Sequence, residues 1–264
     1  MDMSETLTVE YRQDGVATLT LNRLRAHNAL DRDLVALLIE SLDKLGADAT
    51  IRVVVLAALG ASFCAGADLA AMRDAGRETR FLSESKALAT LMGRLAGLPK
   101  PTVAMVQGPA FGGGVGLVAA CDIAIAVSTA TFSLTEVRLG LIPAVIAPYL
   151  IRAMGARQTR RFALTAQKIS ADEAKRLGLV HDVVPSTKLV ETCERVSASL
   201  ARGGPEAVAR IKDLLTWLEG GAANTDVAEE TARRFSEARA SDEGHEGVAA
   251  FLEKRQPRWR IKDS

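Results

Sequence analysis

Two glycine-bearing turns and one downstream carboxylate are the residues of this 264-residue chain best suited to chemistry. The first turn is Phe63-Cys64-Ala65-Gly66-Ala67-Asp68-Leu69, and the second is Gly108-Pro109-Ala110-Phe111-Gly112-Gly113-Gly114-Val115-Gly116. The carboxylate is Glu136, in Leu134-Thr135-Glu136-Val137-Arg138-Leu139-Gly140. Each turn follows an apolar run that reads as a strand and opens what reads as a helix. A turn of that kind can aim unpaired backbone N–H groups outward. Two such donors from separate turns could grip one oxygen as it becomes an oxyanion. That is a route to chemistry on a thioester with neither a metal nor a nucleophile. Taken singly, each feature has a plainer explanation. A glycine run is more often a close-packed turn, Asp68 can simply favour a helix N-terminus, and Glu136 can be a surface residue paired with Arg138.

The elements that must position these residues follow from periodicity. Val16 to Leu21 alternates like a strand after the turn at Asp14-Gly15. Leu34, Leu37, Leu38, Leu42 and Leu45 share one helical face. Val53 to Ala58 is wholly apolar, as is Val103 to Val106, and both suit strands buried on two sides. A helix is expected from Asp68 to Met72, another over 81–98 that stops at Pro99, and a small-residue helix over Gly114 to Ala120. Ile123 to Val127 reads as a further strand. Strands and helices alternate, which predicts α/β layers. After Gly203-Gly204-Pro205 only helical patterns follow, at about 205–219, 225–240 and 243–254. The expected division is a core over 1–203 and a helical segment over 204–264. Such a tail buries its own apolar stripe poorly and should pack on the core or on another subunit.

Composition bounds the function classes. Lys plus Arg is 33 and Asp plus Glu is 32, a formal net charge of +1, so bulk electrostatics give no reason to expect a nucleic-acid or membrane partner. The three cysteines, Cys64, Cys121 and Cys193, offer no disulfide framework or zinc spacing. His27, His181 and His245 have no metal spacing either. Met1 to Glu5 lacks the basic and apolar parts of a signal peptide, and no run approaches a membrane span. A cytoplasmic protein is the expectation. Cys64 reads as a small buried filler, because no base stands beside it. Arg152, Arg157, Arg160, Arg161 and Lys168 read as a solvated helix face.

Together, at this separation and with these flanks, the turns resemble those of the crotonase family, the enoyl-CoA hydratase/isomerase superfamily. The resemblance runs through nearly the whole chain. It includes Leu21-Asn22-Arg23, Ala26-His27-Asn28-Ala29-Leu30, Cys121-Asp122-Ile123, Ala174 to Val180 and Phe251-Leu252-Glu253-Lys254-Arg255. It implies a ClpP-like spiral of ββα units with a C-terminal helical segment. It implies a trimer or a hexamer made of two trimers, and an acyl-CoA thioester as substrate, coenzyme A being part of the substrate and not a cofactor. By motif position the oxyanion amides fall on Ala67 and Gly113. Arg25, Ala26 and Ala29 match one wall of the family's CoA site, and Ala65, Asp68 and Leu69 match the other. Phe251 and Lys254 match a C-terminal helix that touches CoA bound by a neighbouring subunit.

Two-carboxylate hydratases of the family carry one glutamate at the position of Gly116 and another at that of Glu136. Only the second is present here, so Glu136 is expected to be the sole acid/base, its pKa raised by burial. Asp122 reads as structural. The segment Gly140-Leu141-Ile142-Pro143-Ala144-Val145-Ile146-Ala147 is apolar where many members are glycine-rich. With glycine at 116, it resembles bacterial hydratases of methylglutaconyl-CoA in leucine breakdown and of related branched glutaconyl thioesters. Gly116, Pro143 and Val145 are then expected to line the acyl pocket. A Δ3-Δ2-enoyl-CoA isomerase is the alternative within the family, since one glutamate can move a proton between two carbons. A non-catalytic CoA- or RNA-binding scaffold is the alternative from another class.

Overall fold

The computed structural model describes residues 6–70, 78–220 and 226–261. The alternating run forms β2 (Val16–Leu21), and the all-apolar run forms β3 (Val53–Ala58). They pair in parallel, Val16 opposite Val53. β1 (Leu7–Tyr11) closes an antiparallel hairpin on β2, and β4 (Thr102–Val106), β6 (Ile123–Val127) and β9 (Asp182–Val184) extend the sheet in parallel. The order is β1-β2-β3-β4-β6-β9. β3 lies mid-sheet and is buried along its whole length, which is why it carries no polar residue. A second, three-stranded sheet joins β5 (Ala110–Phe111), β7 (Thr131–Ser133) and β8 (Ile169–Ser170). This mixed α/β arrangement is of the kind that the resemblance implies.

Nine α-helices lie wholly among the described residues. α1 (Arg32–Ala47) turns Leu34, Val35, Leu38, Leu42 and Leu45 into the core, and Asp31 caps it by accepting from Leu34 N at 2.8 Å. α2 spans Glu78–Ala96. α3 (Gly113–Ala120) is buried at every residue, which its glycines and alanines permit by letting neighbours close in. α4 (Ala147–Thr165) bends at Gly155, whose φ is +76°. Its Arg152, Arg157, Arg160 and Arg161 are exposed, and so is Lys168 beyond it. α5 (Ala171–Leu177) and α6 (Leu189–Leu200) complete the core. α7 (Pro205–Glu219), α8 (Val227–Ala240) and α9 (Asp242–Leu252) follow the glycine pair.

Two features tie these last helices to the sheet. Arg52 donates to the carbonyls of Gly203 and Trp259. Lys212 reaches Asp122 at 2.6 Å, and Asp122 also accepts from Thr102 N and Oγ1 at 2.7 and 2.9 Å. Asp122 therefore joins helix, strand and tail. The helix expected at Asp68 begins at Leu69, and its expected end at Met72 lies outside the described residues. Periodicity did not reveal β1, β5, β7, β8 or β9, nor α5 and α6, and α4 showed only as the solvated face of its arginines. Most of those strands hold two or three residues, too few for a period to show.

Candidate active site

The two glycine turns lie side by side. Phe63 N donates to Pro109 O and Phe111 N to Cys64 O, both at 2.9 Å. Gly66 is at the seam, with φ of +88°. A Cβ there would stand 2.8 Å from the Phe111 carbonyl oxygen and 3.5 Å from Gly113 N, so only glycine fits. On its other flank the first turn is clamped to Leu30. Leu30 N donates to Gly66 O at 2.7 Å, and Asp68 N donates to Leu30 O at 3.1 Å. These two bonds make Ala67 the bridge partner of Leu30. They also turn the N–H of Ala67 to the opposite side, since backbone groups alternate in direction along a ladder. That N–H has no acceptor among the described residues, and Ala67 is exposed.

In the second turn Gly112 (φ +47°) donates to Ser133 O at 3.0 Å and serves as N-cap of α3. Val115 N and Gly116 N both return to Gly112 O, at 2.9 and 3.1 Å. The N–H groups of Gly113 and Gly114 are left at the helix start with no acceptor among the described residues. They carry the positive end of the helix dipole. Gly113 N and Ala67 N thus come from neighbouring turns and are both available to a ligand oxygen.

Glu136 begins a short 3-10 helix, Glu136–Leu139. Its carboxylate rests against Gly112: a Cβ on that glycine would lie 3.0 Å from Oε1 and 3.4 Å from Cδ. Oε2 is buried and has no hydrogen-bond partner among the described residues. No ion pair joins Glu136 to Arg138 among the described residues, so the surface-pair alternative falls away. Burial pushes the Glu136 carboxyl above the ordinary carboxylate range, and the backbone N–H of Glu136 offsets this only in part. A half-buried carboxyl with a raised pKa, beside two unpaired amides, can exchange protons with whatever the amides hold.

The expectation for Gly116 needs correction. A Cβ there would fall on Ile146 Cγ2, 2.9 Å from Ile146 Cβ and 3.3 Å from Met92 Cε. The missing side chain leaves no room for an acyl branch, because Ile146, which is buried, already occupies that volume. Glycine at 116 and isoleucine at 146 are one packing unit, with hydrocarbon where a second carboxylate would stand. Pro143 and Val145 are half-buried on the same segment.

Arg25 and Ala26 lie in the 3-10 turn Leu24–Ala26, Arg25 exposed, and Ala29 is buried beside Leu30. Ala65 donates to His27 O at 3.0 Å. Leu69 is exposed, and the Asp68 carboxylate is 3.1 Å from Arg23. Phe251 is 82% exposed near the end of α9, and Lys254 beyond it is exposed as well, so this chain does not bring either to its own site. Cys64 is fully buried, and desolvation pushes its thiol up to about 12, which leaves it without a thiolate at neutral pH. No group of three or more metal-ligating side chains occurs among the described residues. Sequence reasoning missed Ile146 and the polar cluster of Arg23, Asn28 and Asp31. A signal for Ile146 existed: a glycine inside a buried helix demands a neighbour that fills its place.

Comparison with known proteins points to one family. The family description "Enoyl-CoA hydratase/isomerase" matches residues 11–262. The 2,3-dehydroadipyl-CoA hydratase of Escherichia coli is 34% identical over 250 residues, 94% of this chain and 96% of that protein. A crystal structure of an enoyl-CoA hydratase from Shewanella pealeana is 40% identical with a TM-score of 0.92, covering 96% of each chain. Pseudomonas aeruginosa AtuE is 38% identical with a TM-score of 0.89, covering 97% of this chain and 100% of that one.

Proposed function

This chain belongs to the enoyl-CoA hydratase/isomerase family, as an enzyme of the hydratase, or lyase, type, and we propose that it hydrates a branched, glutaconyl-type 2-enoyl-CoA with Glu136 as its only acid/base. The observation that carries this reading is the meeting of three groups: the free N–H of Ala67, the free N–H of Gly113, and a carboxyl against Gly112 whose Oε2 has no partner among the described residues. The thioester carbonyl oxygen would accept from the two amides. Ionised Glu136 would take a proton from water as the oxygen of that water bonds to C3. The electron pair of the C2–C3 double bond moves towards the carbonyl, and the amides hold the resulting enolate. Glu136 then returns the proton to C2. Loss of one such amide costs about 10²–10³ in rate.

The branched acyl group is supported by the likeness of residues 140–147, apolar where many members are glycine-rich, and not by space at Gly116. Ile146 fills the space beside Gly116, so on this reading a branch would lie beside the half-buried Pro143 and Val145 instead. The relative from Escherichia coli acts, by its name, on another 2-enoyl thioester. One observation favours isomerisation instead: hydrocarbon replaces the second carboxylate that could help to hold water. Coenzyme A enters as part of the substrate, and we assign no cofactor.

We further propose a trimer or a dimer of trimers. α7 and α8 bury no residue within the chain and α9 buries only Ala250, while Ile211, Leu215, Phe235, Val248, Phe251 and Leu252 are all more than half exposed. Phe251 and Lys254 would then meet CoA held by a neighbour. Among the described residues no helix is long and apolar enough to cross a membrane, and three unpaired, buried thiols fit the cytoplasm.

The test is one absorbance assay with several acyl-CoAs. Hydration consumes the conjugated-thioester band of a 2-enoyl-CoA. Appearance of that band from a 3-enoyl-CoA would establish isomerisation in its place, and no change with any thioester would leave only a binding role. Faster turnover of linear than of branched 2-enoyl-CoA would remove the branched substrate.

A further inference from the structure

We propose that Arg23 is a positioning residue for the first oxyanion amide, holding the Gly66–Ala67 peptide in the orientation that frees the Ala67 N–H. The proposal rests on the oxyanion reading above and adds the group that aims it.

The Gly66–Ala67 peptide is gripped from one side only. Its carbonyl accepts from Leu30 N at 2.7 Å, and the next residue donates back to Leu30 O at 3.1 Å. Whatever sets the place of Leu30 therefore sets the direction of the Ala67 N–H. Leu30 has no polar side chain with which to hold itself. Its side chain packs in the core, and the residues on both sides of it meet Arg23. One guanidinium nitrogen of Arg23 donates to the carbonyl of Ala29, the residue before Leu30. Another lies 2.7 Å from the carboxylate of Asp31, the residue after it. That same nitrogen lies 3.1 Å from the carboxylate of Asp68, the residue after Ala67. A single fork thus brackets both partners of the Leu30–Ala67 bridge.

The backbone of Arg23 joins the same structure. Arg23 N donates to Asn28 Oδ1 at 2.8 Å, and Asn28 Nδ2 donates to Leu59 O and Ser62 O, each at 2.9 Å. These bonds hold His27 and Asn28 at φ of +50° and +58°, a conformation side chains rarely adopt. The reversal they make is what returns the chain to the turn at Leu30.

Burial makes the fork effective. The side chains of Arg23, Asp31 and Asp68 are 19%, 21% and 18% exposed, so solvent screens them less than a surface pair. Geometry makes it specific. A planar guanidinium serves three acceptors in fixed directions, whereas an ammonium is a point charge with shorter reach. The two carboxylates outnumber the one guanidinium, so Arg23 offers the amide no net positive field and acts by placement. A misplacement of about 1 Å at a reacting centre can cost on the order of 10²-fold in rate.

The experiment reads the amide directly. An aryl-acryloyl-CoA thioester absorbs further to the red when its carbonyl is polarised by hydrogen bonds. Bound to Glu136→Gln, in which turnover is suppressed, it reports the oxyanion amides without catalysis. Adding Arg23→Gln is expected to remove most of that red shift, while the probe still saturates within a few-fold of the same concentration. With Glu136 restored, kcat should fall about 10- to 100-fold, more than KM changes. Arg23→Lys should recover part of both. Asp68→Asn, which weakens one arm of the fork, should give a smaller loss in the same direction. A folded Arg23→Gln with its full red shift overturns the proposal. If Arg23→Gln does not fold, a full red shift in Asp68→Asn overturns it. Absence of a red shift in Glu136→Gln alone sinks the oxyanion reading itself, a failure distinct from that of Arg23.

Discussion

At Gly66–Ala67 a free amide arises because a bridge to Leu30 consumes the backbone groups on one side and leaves the other side open. At Gly112–Gly114 it arises because a helix starts there and its first N–H groups have no turn behind them. The first turn is exposed at Ala67 and is held from a distance by Arg23. The second is buried and is held by contact, each glycine pressed on a neighbour. The comparison shows that identical donors can differ in what disturbs them. The first should tolerate a larger side chain at Ala67, though none at Gly66, and fail when a remote ion pair is cut. The second should tolerate no side chain at all.

The largest effect is expected where both turns deliver their ligand, at Glu136. Glu136→Gln keeps the shape and removes the proton carrier, so kcat should drop about 10²–10⁴-fold while acyl-CoA binding changes little. Near-native turnover would move the chemistry elsewhere. The native enzyme adds a pH signature. Because burial raises the Glu136 pKa, the acid limb of kcat/KM should lie above the ordinary carboxylate pKa of about 4.3. Stability runs the other way. Folded Glu136 holds its proton to higher pH than the unfolded chain does. Its ionisation therefore costs stability as pH rises through the folded pKa, and that cost is absent below the unfolded pKa. Glu136→Gln should lose this dependence, which chemical denaturation at two pH values would detect.

Gly114→Ala probes the contact-held turn. The new Cβ would meet the Cys64 carbonyl and stand 2.8 Å from Cys64 Cβ, inside the packed seam. Overpacking of this kind costs about 1–3 kcal/mol, and displacement of the Gly113 amide would add a rate loss towards 10²–10³-fold. An alanine variant with native melting and native kcat would show that the seam can yield.

Gly116→Glu sharpens the same point two residues further along. Alone it collides with Ile146 and should lose about 1–3 kcal/mol of stability, with lower kcat/KM on branched and linear substrates alike. Combined with Ile146→Gly it should regain much of that stability, since both changes act on one volume. Strictly additive losses would show that the two residues do not share space. The smallest effect is expected at the bridge-held turn. Ala67→Ser adds a side chain at an exposed position whose backbone does the work, so activity should stay within about twofold. A large loss there would erase the contrast between the turns.

What could be read in the chain itself was local. The strands Val16–Leu21, Val53–Ala58 and Ile123–Val127 and the helix Pro205–Glu219 show in their periodicity, because a buried face imposes its period on the residues that make it. The glycine turns, Glu136 and their family likeness were legible for the same reason: donors, glycines and carboxylate sit within short, recognisable stretches. Three things were decided only by tertiary structure. Ile146 fills the place beside Gly116, thirty residues away in sequence, because a core packs to constant density whatever the chain order. Arg23 serves Asp68 across forty-five residues, because a partly buried cation must find carboxylates wherever the fold brings them. The two amides become one site only when the Leu30 bridge and the start of α3 are set against each other, which no spacing in sequence records.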